Sequence, residues 1–135
     1  MMKLSIEIVS EEPHKDEIVK SVAVVLLPGT TLDAGNTKEF KSGLTSLFTP
    51  GARIVFDLSN LKFVDSSGLG AMLSALRQIN GLGGDLKLCA MSKPVRSLIE
   101  LVRMHRVFEI YNTRQEALRS FGIDPQEASE GAGLA

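Results

Sequence analysis

Apolar and polar residues alternate from Leu4 to Ser10 (LSIEIVS), the period of two that a half-buried strand requires, and the charged EEPHKDE after it reads as a turn broken by proline. SVAVVLLPG, from Ser21 to Gly29, is a second strand, rich in branched apolar residues and ended by Pro28-Gly29, which does not easily continue a ladder. In TTLDAGNTKEFKSGLTSLF the residues Leu32, Phe40, Leu44, Leu47 and Phe48 suit one face of a helix beginning near Asn36. Gly43 inside it costs only about 1 kcal/mol relative to alanine. Thr49-Pro50-Gly51 closes that helix, and the apolar run RIVFDLSNLKFV predicts a central strand covered on both faces.

After DSSG, the segment LGAMLSALRQINGLGG puts Leu69, Leu73, Leu76 and Ile79 at helical spacing and ends at Gly81, a residue type suited to a C-cap. DLKLCAM is another strand. SKPVRSLIELVRM reads as a helix with Ser92 as N-cap, Pro94 near the first turn, and Val95, Leu98, Ile99 and Val102 on one face. VFEIYN predicts a short edge strand and RQEALRSF a last helix that Thr113 can cap. Strands and helices thus alternate in an α/β order, with later strands parallel and an antiparallel pair possible at the start. One domain over 1–121 is expected, followed by a small, polar, acidic tail over 122–135 expected to be flexible. No repeat of 20 to 50 residues is visible.

Composition narrows the function. The chain has 135 residues, 44% of them hydrophobic and 23% charged, and no membrane-length apolar run, so it reads as an ordinary globular domain. Its net charge of −1, from 15 basic and 16 acidic residues, provides no global positive field for nucleic acid or an anionic membrane. Such a role would need a local patch, and none stands out in the sequence. The first residues lack the continuous apolar region of a secretory signal, which makes the cytoplasm the expected compartment. The single cysteine, Cys89, lies in an apolar run, where a buried small hydrophobe is expected and not a reactive thiol or metal ligand.

Chemistry concentrates in FVDSSGLGAM, from Phe63 to Met72. An acid, two hydroxyls and a glycine between a strand and a helix are first of all capping residues. A serine nucleophile would want a G-x-S-x-G elbow with a histidine base, but the first glycine is missing and neither His14 nor His105 has a triad-like spacing. The G-x-x-x-x-G-K-[ST] cradle is absent, and Gly68-Leu69-Gly70 is too short for a dinucleotide fingerprint. Modification remains: a hydroxyl at a helix start is accessible to a kinase, and a phosphate there would act on any partner surface that closes over the loop.

VFDLSNLKFVDSSGLGAMLSAL, with LPGTTLDAGNTKEF upstream and GGDLKLCAMSKPVRSLIELVRMHRVFEIYNTRQEAL downstream, resembles the STAS domain of bacterial anti-sigma factor antagonists. The resemblance covers Ser21 to Phe121. It implies a single α/β domain with a central mixed sheet of four or five strands and about four helices packed mainly on one side. It also implies a non-enzymatic regulator without cofactor or metal. The unmodified protein would bind an anti-sigma factor that is itself a serine kinase and so release the sigma factor. The kinase would use ATP to phosphorylate the antagonist and end the contact, and a metal-dependent serine/threonine phosphatase would restore it.

Position by position, the resemblance makes Ser66 the phosphoacceptor, Ser67 the neighbouring hydroxyl that shapes the loop, and Asp65 the acid before it. Gly68 permits close backbone approach, and Asp33 lies beside the loop in contact with the kinase. Read from residue types alone, Asp33 would equally serve as a cap or turn residue before the helix at Asn36. No direct nucleic-acid contact and no membrane insertion are expected. Two departures from the family are the long, charged stretch before Ser21 and the C-terminal tail. Other STAS relatives are attached to anion transporters or are accessory subunits of lipid-trafficking ABC transporters, and such an accessory role is the alternative reading.

Overall fold

A computed structural model of the chain describes residues 3–10 and 21–124. β1 (Ser5–Ser10) pairs antiparallel with β2 (Ser21–Leu26), and β4 (Arg53–Asp57), β6 (Asp85–Cys89) and β7 (Glu109–Tyr111) extend the sheet in parallel, in the order β1-β2-β4-β6-β7. β3 (Thr31–Leu32) and β5 (Phe63–Val64) form a separate parallel pair. The helices are α1 (Thr37–Leu44), α2 (Ser66–Gly81), α3 (Lys93–Leu101) and α4 (Arg114–Ser120). This is the mixed five-stranded α/β sheet expected. Three helices bury Phe40, Leu44, Met72, Ile79, Val95 and Ile99 against one face, where the Phe40 and Phe56 rings meet edge to face at 5.5 Å, and α4 alone covers the other.

The run RIVFDLSNLKFV is not one strand. It stops at Asp57, whose carboxylate accepts the Ser59 N–H at 3.0 Å and turns the chain out of the ladder, so that Phe63 and Val64 re-enter as β5. Leu32, assigned to the first helix, lies in β3. That helix starts after Asn36 as expected and tightens into a 3-10 turn at Thr45–Leu47. α2 ends at Gly81, but the left-handed residue is Gly83 (φ 75°). Ser92 opens α3 without capping it, since its hydroxyl donates instead to the Leu61 carbonyl at 3.0 Å. Thr113 caps α4 in a reciprocal box with Glu116. Packing continues past the expected domain end, with Ile123 only 1% exposed beneath α4; the rest of the expected tail and EEPHKDE lie outside the described residues.

Polar groups pin α4 at both ends. Arg114 donates to Asp57 (2.8 and 3.1 Å) and to Glu7 (2.6 Å), tying the helix start to β4 and β1. At the other end Lys87 donates to the Ser120 hydroxyl at 2.8 Å, pairs with Glu109 at 3.2 Å, and lies 4.0 Å from the Phe121 ring centroid. Burial works to raise the Asp57 pKa, but the Ser59 amide and hydroxyl and the Arg114 guanidinium outweigh it and hold the group below its ordinary 3.8. Cys89 is buried as expected; burial, then the Asp57 charge, pushes its thiol up to about 12.

Arg114→Ala is expected to lower stability by about 1.5–3 kcal/mol, the loss for hydrogen bonds to charged groups. Because the folded Asp57 pKa is depressed, its contribution is complete above 3.8 and is lost as pH falls through the folded value. Urea unfolding at neutral and acid pH should therefore show a shallower acid dependence in the variant than in the parent.

Candidate functional site

β3 and β5 pair in register, Thr31 with Phe63 and Leu32 with Val64, and the next residue on each strand is an aspartate. Asp33 and Asp65 therefore begin their loops side by side. The Asp65 N–H donates to the Leu32 carbonyl at 3.2 Å. One Asp65 carboxylate oxygen accepts the Gly68 N–H at 2.9 Å and so caps α2; the other accepts the Ala34 N–H at 3.1 Å and holds the Asp33 loop. The Gly68 amide is the main cause that holds the Asp65 pKa below its ordinary value, with the Ala34 and Ser67 amides adding to it against a smaller effect of burial.

Asp33 is a turn residue as well as a neighbour of the serine loop. Its carboxylate accepts the Gly35 N–H at 2.8 Å, its own N–H donates to the Asn36 side chain at 2.9 Å, and its carbonyl accepts from Asn36 and Thr37 where α1 begins. Asn36 in turn donates from Nδ2 to the Thr31 carbonyl at 2.8 Å, which fastens the turn to β3.

Ser66 and Ser67 are the first two residues of α2, which starts earlier than the periodicity predicted. Both are exposed, and neither hydroxyl has a hydrogen-bond partner among the described residues. Of the capping residues that DSSG offers, Asp65 supplies the cap, because the residue before the helix, in extended conformation (φ −93°, ψ −176°), is the one whose side chain reaches the third helical amide. Gly68 is buried against β3: a Cβ there would lie 2.3 Å from the Leu32 carbonyl oxygen and 2.7 Å from Val64 Cγ1. Phe63, 49% exposed on β5, adds an aromatic beside the loop. Alternation points it outward opposite buried Val64, a signal hidden while the run was read as one doubly covered strand.

The STAS domain matches residues 14–117. The chain belongs to the STAS domain family. An anti-sigma F factor antagonist of Paenibacillus polymyxa is 38% identical over 70 residues, 52% of this chain and 60% of that protein. A candidate anti-sigma factor antagonist of Thermotoga maritima is 31% identical over 108 residues, 78% of this chain and 93% of that one. A crystal structure of a candidate antagonist from the same species superposes with a TM-score of 0.66 at 27% identity, covering 73% of this chain and 87% of that one. These relatives group this STAS domain with the anti-sigma factor antagonists. Among the described residues no helix is long and apolar enough to cross a membrane, and no three histidine, cysteine or carboxylate side chains gather where they could hold a metal ion.

The backbone contact at Gly68 yields a paired prediction. Gly68→Ala must displace Leu32 or the start of α2 and should destabilise by about 1–3 kcal/mol. Gly70→Ala, two residues along the same helix with nothing within 4 Å of the added carbon, should be neutral or stabilising by up to about 1 kcal/mol. Denaturant midpoints of the two variants against the parent measure the difference.

Proposed function

We propose that this STAS domain is an anti-sigma factor antagonist whose binding to an anti-sigma factor serine kinase is switched off by phosphorylation of Ser66. The unmodified chain binds the kinase and releases the sigma factor; transfer of the ATP γ-phosphate to Ser66 ends the contact; a metal-dependent serine/threonine phosphatase resets it. The observation that carries the reading is the state of Ser66: an exposed hydroxyl with no hydrogen-bond partner among the described residues, beside a carboxylate that already performs the capping. In this reading the chain is a substrate of its partner's chemistry, and among the described residues no base contacts the serine hydroxyl.

The switch follows from charge. A phosphoserine carries about −1.5 to −2 at neutral pH. At the first position of α2 the helix end favours that charge by roughly 0.3–1 kcal/mol, so the fold tolerates the product. The partner does not, because a surface closing over the loop must desolvate the phosphate while Asp65 and Asp33 already make the site acidic. Asp33, Asp65, Ser67 and Phe63 surround Ser66 as the kinase-facing surface in this reading, with Gly68 holding the loop on β3.

Incubation with the matching kinase and ATP should add one phosphate, on Ser66; mass spectrometry that finds it only elsewhere sinks the proposal. Ser66→Asp should weaken kinase binding at least about tenfold, near 1.4 kcal/mol, while the domain still unfolds cooperatively. Ser66→Ala should block modification and keep binding. It should also leave stability nearly unchanged, since Asp65 and not Ser66 caps the helix.

A further inference from the structure

The sequence shows no basic patch, yet folding makes one at the end of the molecule away from Ser66. α3 begins where Ser92 is bonded to Leu61, close to the serine loop, and runs the length of the sheet to Leu101. There the chain turns through Arg103, a non-glycine residue in the left-handed region (φ 62°), into the 3-10 turn Met104–Arg106. Met104 and Phe108 are buried and anchor this turn, and the Met104 carbonyl accepts the Val107 and Phe108 amides at 3.0 Å each. The anchored backbone holds the intervening side chains outward. Leu101 is 78% exposed, Val102 48% and Val107 55%, three of the six large apolar side chains exposed among the described residues.

Cations share the same turn. Arg103, His105 and Arg106 are exposed, and among the described residues none of them forms a salt bridge. Of the two acids that flank the turn, Glu109 is paired with Lys87 at 3.2 Å, which leaves Glu100 as the opposing charge. Between Leu101 and Val107 the turn thus exposes aliphatic and cationic side chains together.

The geometry points to a peripheral docking site for an anionic lipid surface, with Leu101, Val102 and Val107 dipping between headgroups and Arg103 and Arg106 on their phosphates. Three aliphatic side chains on a turn fall short of the roughly 800 Å² per partner that a stable protein interface buries, and the turn has no exposed aromatic anchor. A bilayer interface needs neither. It accepts a small apolar knob together with guanidinium groups, which match phosphate oxygens in a planar fork. With a net charge of −1 on the whole chain, attachment is weak, local and dependent on anionic lipid. It is a contact of side chains with no spanning segment, and it leaves the Ser66 loop facing away from the surface.

The chain has no tryptophan, so Leu101→Trp supplies a single reporter at the tip of the patch. With vesicles of phosphatidylglycerol in phosphatidylcholine its emission should shift to the blue and the protein should co-sediment; phosphatidylcholine alone should do neither, and high salt should release the protein. Arg103→Gln with Arg106→Gln, and separately Leu101→Ser with Val107→Ser, should each weaken co-sedimentation at least about tenfold without moving the unfolding midpoint. Ser66→Asp should bind vesicles like the parent, which keeps this test separate from that of the phosphoswitch. No shift, equal binding to neutral vesicles, or binding undiminished in both double variants overturns the proposal. So does a blue shift that grows with protein concentration without lipid, which would give the patch to a second copy of the chain.

Discussion

The first turn of α2 lies directly on the backbone of β3, and the rest of the candidate site depends on that contact. A Cβ at Gly68 would lie 2.3 Å from the Leu32 carbonyl oxygen, so only glycine lets the helix start this close. The close seat is what allows one side chain, Asp65, to reach the Gly68 amide of its own helix and the Ala34 amide of the neighbouring loop. Asp33 is drawn to the serines by the same geometry, because β3 and β5 pair in register and both aspartates follow the paired residues. Buried Leu32 and Val64 beneath the pair supply the apolar contact that fixes this register.

The two faces of the main sheet are held by different physics. α1, α2 and α3 cover one face with a continuous apolar cluster that includes Phe40, Phe56, Met72 and Ile79. On the other face α4 covers the smaller cluster of Val22, Val24, Val55 and Cys89, and charged groups close its margins: Arg114 with Asp57 and Glu7, Lys87 with Ser120 and Glu109. The site-bearing helix α2 thus stands on the apolar face, where the titratable contact is its Asp65 cap, while on the other face the titratable contacts are those of α4. Acid that loosens α4 acts on the face of the sheet opposite α2.

Much of this was legible along the chain. Alternation and branched apolar runs located β1, β2 and β6, and the helical spacing of Leu76 and Ile79 located α2. β3 and β5 were not legible, because two-residue strands have no period, and their pairing joins residues 31 and 63 across a helix and a central strand. For the same reason the nearness of Asp33 to Ser66 came from the family resemblance and not from spacing. The capping residue within DSSG stayed open along the chain because aspartate and serine are both good N-caps; backbone geometry at Asp65 decides between them. The basic turn stayed hidden because Arg103, His105 and Arg106 are interleaved with Met104 and Val107, and only the burial of Met104 separates the outward residues from the inward one.

The division of labour between Asp65 and Ser66 bears on why a phosphate at this loop would act outward. The amides of a helix start are a ready anion site when they are free. Here the Asp65 carboxylate already takes the Gly68 amide and, through its second oxygen, the Ala34 amide, and these bonds hold its pKa below the ordinary value. A phosphate on Ser66 therefore meets donors already engaged and a like charge beside them, and the helix cannot fold it inward as a replacement cap. Its least costly position is in solvent, on the surface that the proposed partner must approach. The same carboxylate that caps α2 in place of Ser66 would thus leave a phosphate on Ser66 exposed to the proposed partner.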